Sequence, residues 1–541
     1  MKRIINYIMA GTFVAASALL ASCSEDYLNT SPSESVESEN AVGTVTNAYN
    51  TLNGVAKCMT TQQAPYGQGY SGENAIYRIY ESMPSQNYNY NRYAAGWAQV
   101  HNQMLHTDNT RKYDSYAWAY YYQVITGANG IIETIDKATG DEKQKKFIKA
   151  AALTFRAYSY EKLIRYYCYR WQDSNNGATR GMPLRLDTSN GDLKISTLAE
   201  TYAQIYKDCE EAVKLFTESG VKRNEAEVWI PTANVAHAVH ARAALNKQDY
   251  ATALAQAKLA EEGYPMVSGA DYAAGFYKPS SEWLLGSYGS DKEQNWYWAF
   301  GVQDACNGYY ANNTDCGAGT IGHELITRIP NNDARKQMFI TADKFRNIDI
   351  TNKDQVNQTY GILGMGDDNV YAQADSIVKA HSLPGLEAPY QAGVFYLDGQ
   401  MKFWTTAQPG VCYVPFIRTS EMKLIEAEAN YFLGNEAAAQ QALVDLNAGT
   451  GRNESYTCTK TGKDLFNEIK DYREVELWGE GFGWSDYKRW NLPIVRKTFA
   501  QGGNAHPAVA VTINPDEVNK WTWVIPQNEK DFNGALTDEK L

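Results

Sequence analysis

Catalytic signatures are what this chain has least of. Its eight cysteines include no CxxC pair, which removes the usual spacing of a structural zinc site. Its seven histidines lie scattered, each better suited to a structural or solvated place than to catalysis. His323 opens GHELIT, but a zinc-protease helix needs a second histidine four residues on, and Thr327 stands there. GxSxG elbows and Walker-type phosphate loops are absent. GDDN at Gly366 to Asn369 lacks the full calcium-loop pattern and reads as a turn. No metal, cofactor or catalytic residue is assigned. A glycosidase remains an alternative, because its carboxylate pair is set by separation in space rather than along the chain, and the sequence holds 62 acidic residues.

Positive charge is also in deficit, with 50 basic against 62 acidic residues and a net charge of −12. That balance argues against nucleic acid or anionic lipid headgroups as partners and suits a neutral ligand. Phenylalanine is sparse beside 39 tyrosines and 13 tryptophans, so most aromatic surface carries a polar tip able to stack and hydrogen-bond.

Apolar runs long enough to span a bilayer are missing beyond the N-terminus. There, MKRIINYIMAGTFVAASALLASC joins a basic start at Lys2 and Arg3 to an apolar run and then Leu20-Ala21-Ser22-Cys23. Small residues ahead of a cysteine form a bacterial lipoprotein signal: residues 1–22 are removed and Cys23 is lipidated. Loss of Lys2 and Arg3 takes the net charge from −12 to −14. Residues 23–40, acidic and serine-rich, read as a flexible tether. Seven other cysteines remain, an odd number in an exported chain, and Cys306 with Cys316 is the best candidate for a disulfide.

What the sequence has in quantity is paired helices. In IRTSEMKLIEAEANYFLGNEAAAQQALVDLN, Met422, Ile425, Ala429 and Phe432 share one helical face, Gly434 ends the helix, Asn435 starts the next, and Ala438, Ala442 and Leu446 answer. Gly140-Asp141 and Asp249 mark two similar joints, with Ile148, Ala151, Phe155 and Tyr158 as the stripe of the first. A fourth, interrupted unit is built on LAETYAQIYKDCEEAVKLF. Two short helices cannot bury their faces alone, so such units stack, and the spacing fits degenerate tetratricopeptide repeats of about 34 residues.

Residues 41–541 are read as one domain, with helical repeats at about 115–262 and 417–490. Two irregular blocks interrupt them, at about 64–113 and 263–413. Irregular segments of that length inside a compact protein are usually functional. A sugar ring offers apolar C–H faces and a rim of hydroxyls, so a protein that holds one without cutting it needs flat aromatics beside amides or charges. The first block supplies Tyr88, Tyr90, Trp97 and Asn102, with Glu73 and Arg78 as rim hydrogen-bonders; the second supplies Trp296, Trp298, Tyr309 and Tyr310. Trp118, Trp478 and Trp490 lie inside helical motifs and are assigned to packing, and Arg473, Glu476, Asp486 and Arg489 to a buried network of paired charges.

The lipobox, TFRAYSYEKLIRYY followed by GMPL, NDAR at Asn332 to Arg335, IRTSEMKLIEAEA, YREVELWGEGFGWSDYKRW and the closing WVIPQNEKDFN follow one another along nearly the whole chain. Together they resemble the SusD/RagB family of Bacteroidetes outer-membrane lipoproteins, with Tyr472-Arg473 where that family often has Glu-Arg. The resemblance implies a mostly α fold: about four tetratricopeptide-like helix pairs cradling an irregular, loop-rich ligand-binding subdomain with a few short strands. It implies a glycan-binding protein on the cell surface, lying as a lid over a SusC-type TonB-dependent transporter. The RagB branch implies peptide as an alternative ligand. A purely helical scaffold is disfavoured by the size of the aromatic-rich blocks.

Overall fold

Short polar turns between small-residue helices set the architecture. The computed structural model describes residues 42–63, 65–67, 69–289, 319–382, 394–404 and 413–536, and within them helices carry most of the chain while strands are short. The main helices are α1 Val45–Cys58, α2 Lys112–Thr134, α3 Glu142–Tyr167, α4 Leu198–Ser219, α5 Ala233–Asn246 and α6 Tyr250–Glu261. They continue with α7 Asp368–Ser382, α8 Thr419–Phe432, α9 Glu436–Asn447, α10 Gly462–Glu476, α11 Gly483–Trp490 and α12 Gln527–Phe532.

These helices form a row in which each packs on the next: α1 on α2, then α3, α4, α5 and α6. The row continues from α6 directly to α8, which packs on α9 and α10. The second irregular block is therefore an excursion between two helices that touch.

The joints follow their sequences. Asp141 and Asp249 cap α3 and α6 by accepting hydrogen bonds from the Gln144 and Thr252 amides, and Thr197 with Glu200 forms a capping box on α4. Gly434 takes φ +79° between α8 and α9. Asn435 starts α9 with its backbone carbonyl, which accepts from Ala438 and Ala439, and not with its side chain. Ile148, Ala151, Phe155 and Tyr158 are all buried, as are Met422, Ile425 and Ala429. Phe432 departs from its stripe at 41% exposure, because it stacks outside on Tyr250, centroids 4.6 Å apart. In α9 the inner face is Ala439, Ala442, Leu443 and Leu446, so the predicted Ala438 is one position out of phase and exposed.

Both irregular blocks hold more helix than their composition predicts. Gly72–Ala75 runs into a π-helix, Ile76–Ser82, and every residue of the two is buried. A segment buried on all sides has no polar face, so no period shows. In the second block, α7 places Val370, Ala374 and Val378 in a small separate core with Phe345, Phe395 and Leu397.

Among the described residues four two-stranded antiparallel sheets form, two of them between distant segments. Strand β1 (Tyr88–Asn89) pairs with β5 (Thr320–Ile321), and β2 (Arg180–Pro183) with β3 (Ile195–Thr197). Strand β4 (Trp283–Gly286) pairs with β6 (Pro415–Arg418), and β7 (Ile494–Val495) with β8 (Thr512–Ile513).

A buried ionic cluster fastens the second block to α8 and α10. Glu476 receives Arg335, Arg418 and Arg452 at 3.2–3.4 Å, and Lys402 pairs with Glu480 at 2.5 Å. Arg335 also chelates Asp333 of the NDAR turn through Nε and Nη2, both at 2.8 Å. Nearby, Asp486 bridges Arg473 at 2.6 Å and Arg489 at 2.8 Å. Burial alone raises a carboxyl's pKa, but the three arginines and Lys402 outweigh it and hold Glu476 at about 2. Of the four charges assigned to this network from the sequence, Arg473, Asp486 and Arg489 do pair with one another, whereas Glu476 takes its partners from Arg335, Arg418 and Arg452.

Candidate ligand-binding site

The two irregular blocks meet at one seam. Tyr88 lies opposite Ile321 and Asn89 opposite Thr320. Gly319 leaves no room there for a side chain, since a Cβ would sit 2.6 Å from the Tyr88 ring. Trp296, Trp298, Tyr309 and Tyr310 lie outside the described residues, as do Cys23 and the Cys306–Cys316 pair. The described cysteines Cys58, Cys168, Cys209 and Cys458 are free thiols.

Of the first-block candidates, Trp97 and Asn102 reach the surface and the other four turn inward. The Arg78 guanidinium sits against two rings, 4.8 Å from the centroid of Tyr90 and 5.1 Å from that of Trp97. Arg78 and Tyr90 are buried, whereas Trp97 is half-buried and meets Tyr113 edge-on at 5.9 Å. Tyr88 is buried in a stack on Trp478, centroids 5.4 Å and planes 26° apart. Glu73, read as a rim group, lies in the interior, accepting from the Tyr120 hydroxyl at 3.2 Å with Lys162 at 3.8 Å. Burial outweighs Glu73 and lowers the Lys162 ammonium to about 8.

Asn102 is fixed at both ends of its amide. It donates to the Ala508 carbonyl at 3.1 Å and accepts from Arg496 at 3.0 Å. Arg496 is buried, and its other partners are the backbone carbonyls of Val509, Pro84, Ser85 and His101. Burial lowers it to about 9. The neighbouring Asn91 side chain accepts from the His506 amide at 3.0 Å, and the His506 ring lies against Tyr360, 5.4 Å away and 31° off parallel. Residues from three separated stretches thus meet around Asn91, Asn102 and His506: the first block, the Tyr360 turn, and the segment from Arg496 to Ala508. What they can offer is a ring face with amides and a tyrosine around it.

His323 donates through Nδ1 to the Asp398 carboxylate at 2.8 Å, and among the described residues no group of three or more His, Cys, Asp or Glu side chains is arranged to hold a metal ion. Tyr360, His506 and Arg496 were missed by sequence reasoning. Their meeting depends on contacts across hundreds of residues, with no local signal beyond the turn residues around Gly361.

Comparison with known proteins accords with this architecture. A family model described as starch-binding and associating with the outer membrane matches residues 26–245, and the SusD family model matches residues 268–538. No curated protein matches. Among solved structures, a SusD-like carbohydrate binding protein from Bacteroides vulgatus is 21% identical with TM-score 0.69, covering 92% of this chain and 99% of its own. A SusD superfamily protein from Bacteroides thetaiotaomicron is 22% identical with TM-score 0.65, covering 91% and 98%. Another from Bacteroides fragilis is 17% identical with TM-score 0.63, covering 92% and 99%. At these identities the structures speak for the fold, while the family models account for both halves of the sequence, and the chain belongs to the SusD family.

Proposed function

We propose that this protein is a lipid-anchored glycan-binding protein of the bacterial surface that captures oligosaccharides and passes them to a SusC-type TonB-dependent transporter. The match of both halves to SusD-type models, one of them described as starch-binding and associating with the outer membrane, carries this reading. The lipobox ending at Cys23 and the acidic net charge agree with it. Trp97 and Asn102 are the ligand contacts among the described residues, and Trp296, Trp298, Tyr309 and Tyr310 are the candidates of the second block. Glu73, Arg78, Tyr88 and Tyr90 support that site from within. Binding alone is required of the protein, and no bond of the glycan is broken.

The test is affinity electrophoresis of the chain begun after Cys23 through gels containing different polysaccharides, beside Trp97→Ala and Trp296→Ala variants. A glycan that retards the parent and not a folded variant supports the reading. Uniform mobility in every gel overturns it and turns attention to labelled peptides. Release of reducing sugar by the parent would instead make the protein a glycosidase. Delivery is tested by deleting the partner transporter, which should leave capture intact and abolish uptake.

A further inference from the structure

Away from the seam, a cleft of about 420 Å³ opens between α2, the loop after β2 and α12. Its volume falls in the range of about 300–1,000 Å³ usual for small-molecule sites. One side is aromatic: Trp118 and Tyr122 lie one turn apart on α2 with centroids 5.2 Å apart, and Tyr66 and Phe532 complete the wall. Phe532 is 86% exposed, so its ring is free to meet a ligand in the cleft.

The polar side carries charges, yet each is engaged within the wall. Arg185 donates to the Ser189 hydroxyl at 2.8 Å and to the Gly191 carbonyl at 2.5 Å. Asp187 accepts from the Ser189 hydroxyl at 2.6 Å and amide at 3.0 Å. Glu529 accepts from Trp118 Nε1 at 3.3 Å and from Asn533 at 2.9 Å. The exposed amides of Asn190 and Asn528 stand beside them. An ionic ligand would have to compete for charges already used, and a purely apolar one would strip water from the amides. A neutral ring with apolar faces and a hydroxyl rim suits both walls.

We infer that this cleft is a second oligosaccharide-binding site, taking a short neutral glycan of pyranose rings; the inference rests on the glycan-binding reading. A chain of rings leads from the first site to the second: Trp97 to Tyr113 at 5.9 Å, Tyr113 to Tyr70 at 6.2 Å, and Tyr70 to Tyr66 at 5.7 Å. Two sites on one body let a polymer bind at two points, raising its apparent affinity above that of either site.

The experiment is calorimetric titration of the full lipidated chain in detergent micelles with maltoheptaose and with hexamers of cellulose, xylan and mannan. Two cleft variants are compared with the parent and with Trp97→Ala. Phe532→Ala removes an exposed ring, and Gly191→Trp fills the cleft from a position where a Cβ would meet nothing within 4 Å. For a glycan that binds the parent, each cleft variant should weaken affinity about tenfold or halve the stoichiometry, while Trp97→Ala keeps the cleft component. Unchanged affinity and stoichiometry in both cleft variants overturns the second site and leaves the first reading standing. Failure of every probe to bind the parent overturns the glycan reading and this site with it.

Discussion

Arg418 grips Glu480 through two parallel hydrogen bonds, Nε to Oε2 at 2.7 Å and Nη2 to Oε1 at 2.8 Å, both side chains buried. Arg418 ends β6 and leads into α8, Glu480 follows α10, and Lys402 of the second block shares the carboxylate. One acidic side chain therefore joins three distant stretches. Removing a single partner from a buried pair strands the other charge and costs about 3–5 kcal/mol. Glu480→Ala takes from Lys402 the carboxylate it pairs with and from Arg418 one of three, Glu282 and Glu476 being the others, and its denaturant midpoint should fall accordingly with the m-value unchanged. A loss below about 1 kcal/mol would mean that Glu476 and Glu282 take up Arg418 and Lys402 unaided.

The same cluster makes the fold acid-sensitive. Glu476 is held at about 2, below the roughly 4.3 of an unfolded glutamate. The unfolded chain thus takes up the proton first, so this contribution is complete above about pH 4.5 and is lost as pH falls toward 2. Chemical denaturation from pH 7 to 2.5 should show little loss attributable to this group until about pH 4.5 and a steep fall below. Glu476→Gln should be less stable at pH 7 and show a shallower acid limb. An acid limb identical to the parent's would exclude Glu476 as its source.

Two glycines separate backbone strain from steric conflict. Gly434 has φ +79° and open space where a Cβ would go, so Gly434→Ala costs only the left-handed conformation, about 1–2 kcal/mol. Gly72 has φ +49°, and its Cβ would lie 2.0 Å from the Met59 carbonyl oxygen. Gly72→Ala forces the buried turn that leads into the π-helix away from the end of α1 and should cost about 3 kcal/mol or more. Melting temperatures of the two variants, measured together, decide the point, and equal losses would show that the backbone at Gly72 yields easily.

These contrasts mark what could be read from the sequence. The stripe from Ile148 to Tyr158, the caps at Asp141 and Asp249 and the turn at Gly434 are set within a few residues, so periodicity and capping chemistry reveal them. Phe432 could not be placed that way, because Tyr250 and Phe466 draw it outward from other helices. Nor could Tyr88, whose burial depends on Trp478 and Gly319 far along the chain. Trp118 was assigned to packing, and its ring does pack on Tyr167, yet its other surroundings form the cleft wall. Aromatic content marks the two irregular blocks but not which of their rings face outward, since that is decided by segments that are distant in sequence.

Arg78 has rings on both counts, packed and presented, which makes it possible to separate support from contact. Tyr90 is 1% exposed and Trp97 half-buried, although both lie about 5 Å from the same guanidinium. Truncating a buried aromatic costs about 3–5 kcal/mol, so Tyr90→Ala should lower the melting temperature strongly. Trp97→Ala gives up less burial and should lower it much less. For glycan binding the order reverses: Trp97→Ala should weaken retardation about tenfold, the loss of one stacked ring and its hydrogen-bonding surroundings. Tyr90→Phe, which keeps the ring, should bind as the parent does. If Trp97→Ala instead lost as much stability as Tyr90→Ala and bound normally, Trp97 would be part of the interior, and the stacking rings would have to come from the second block.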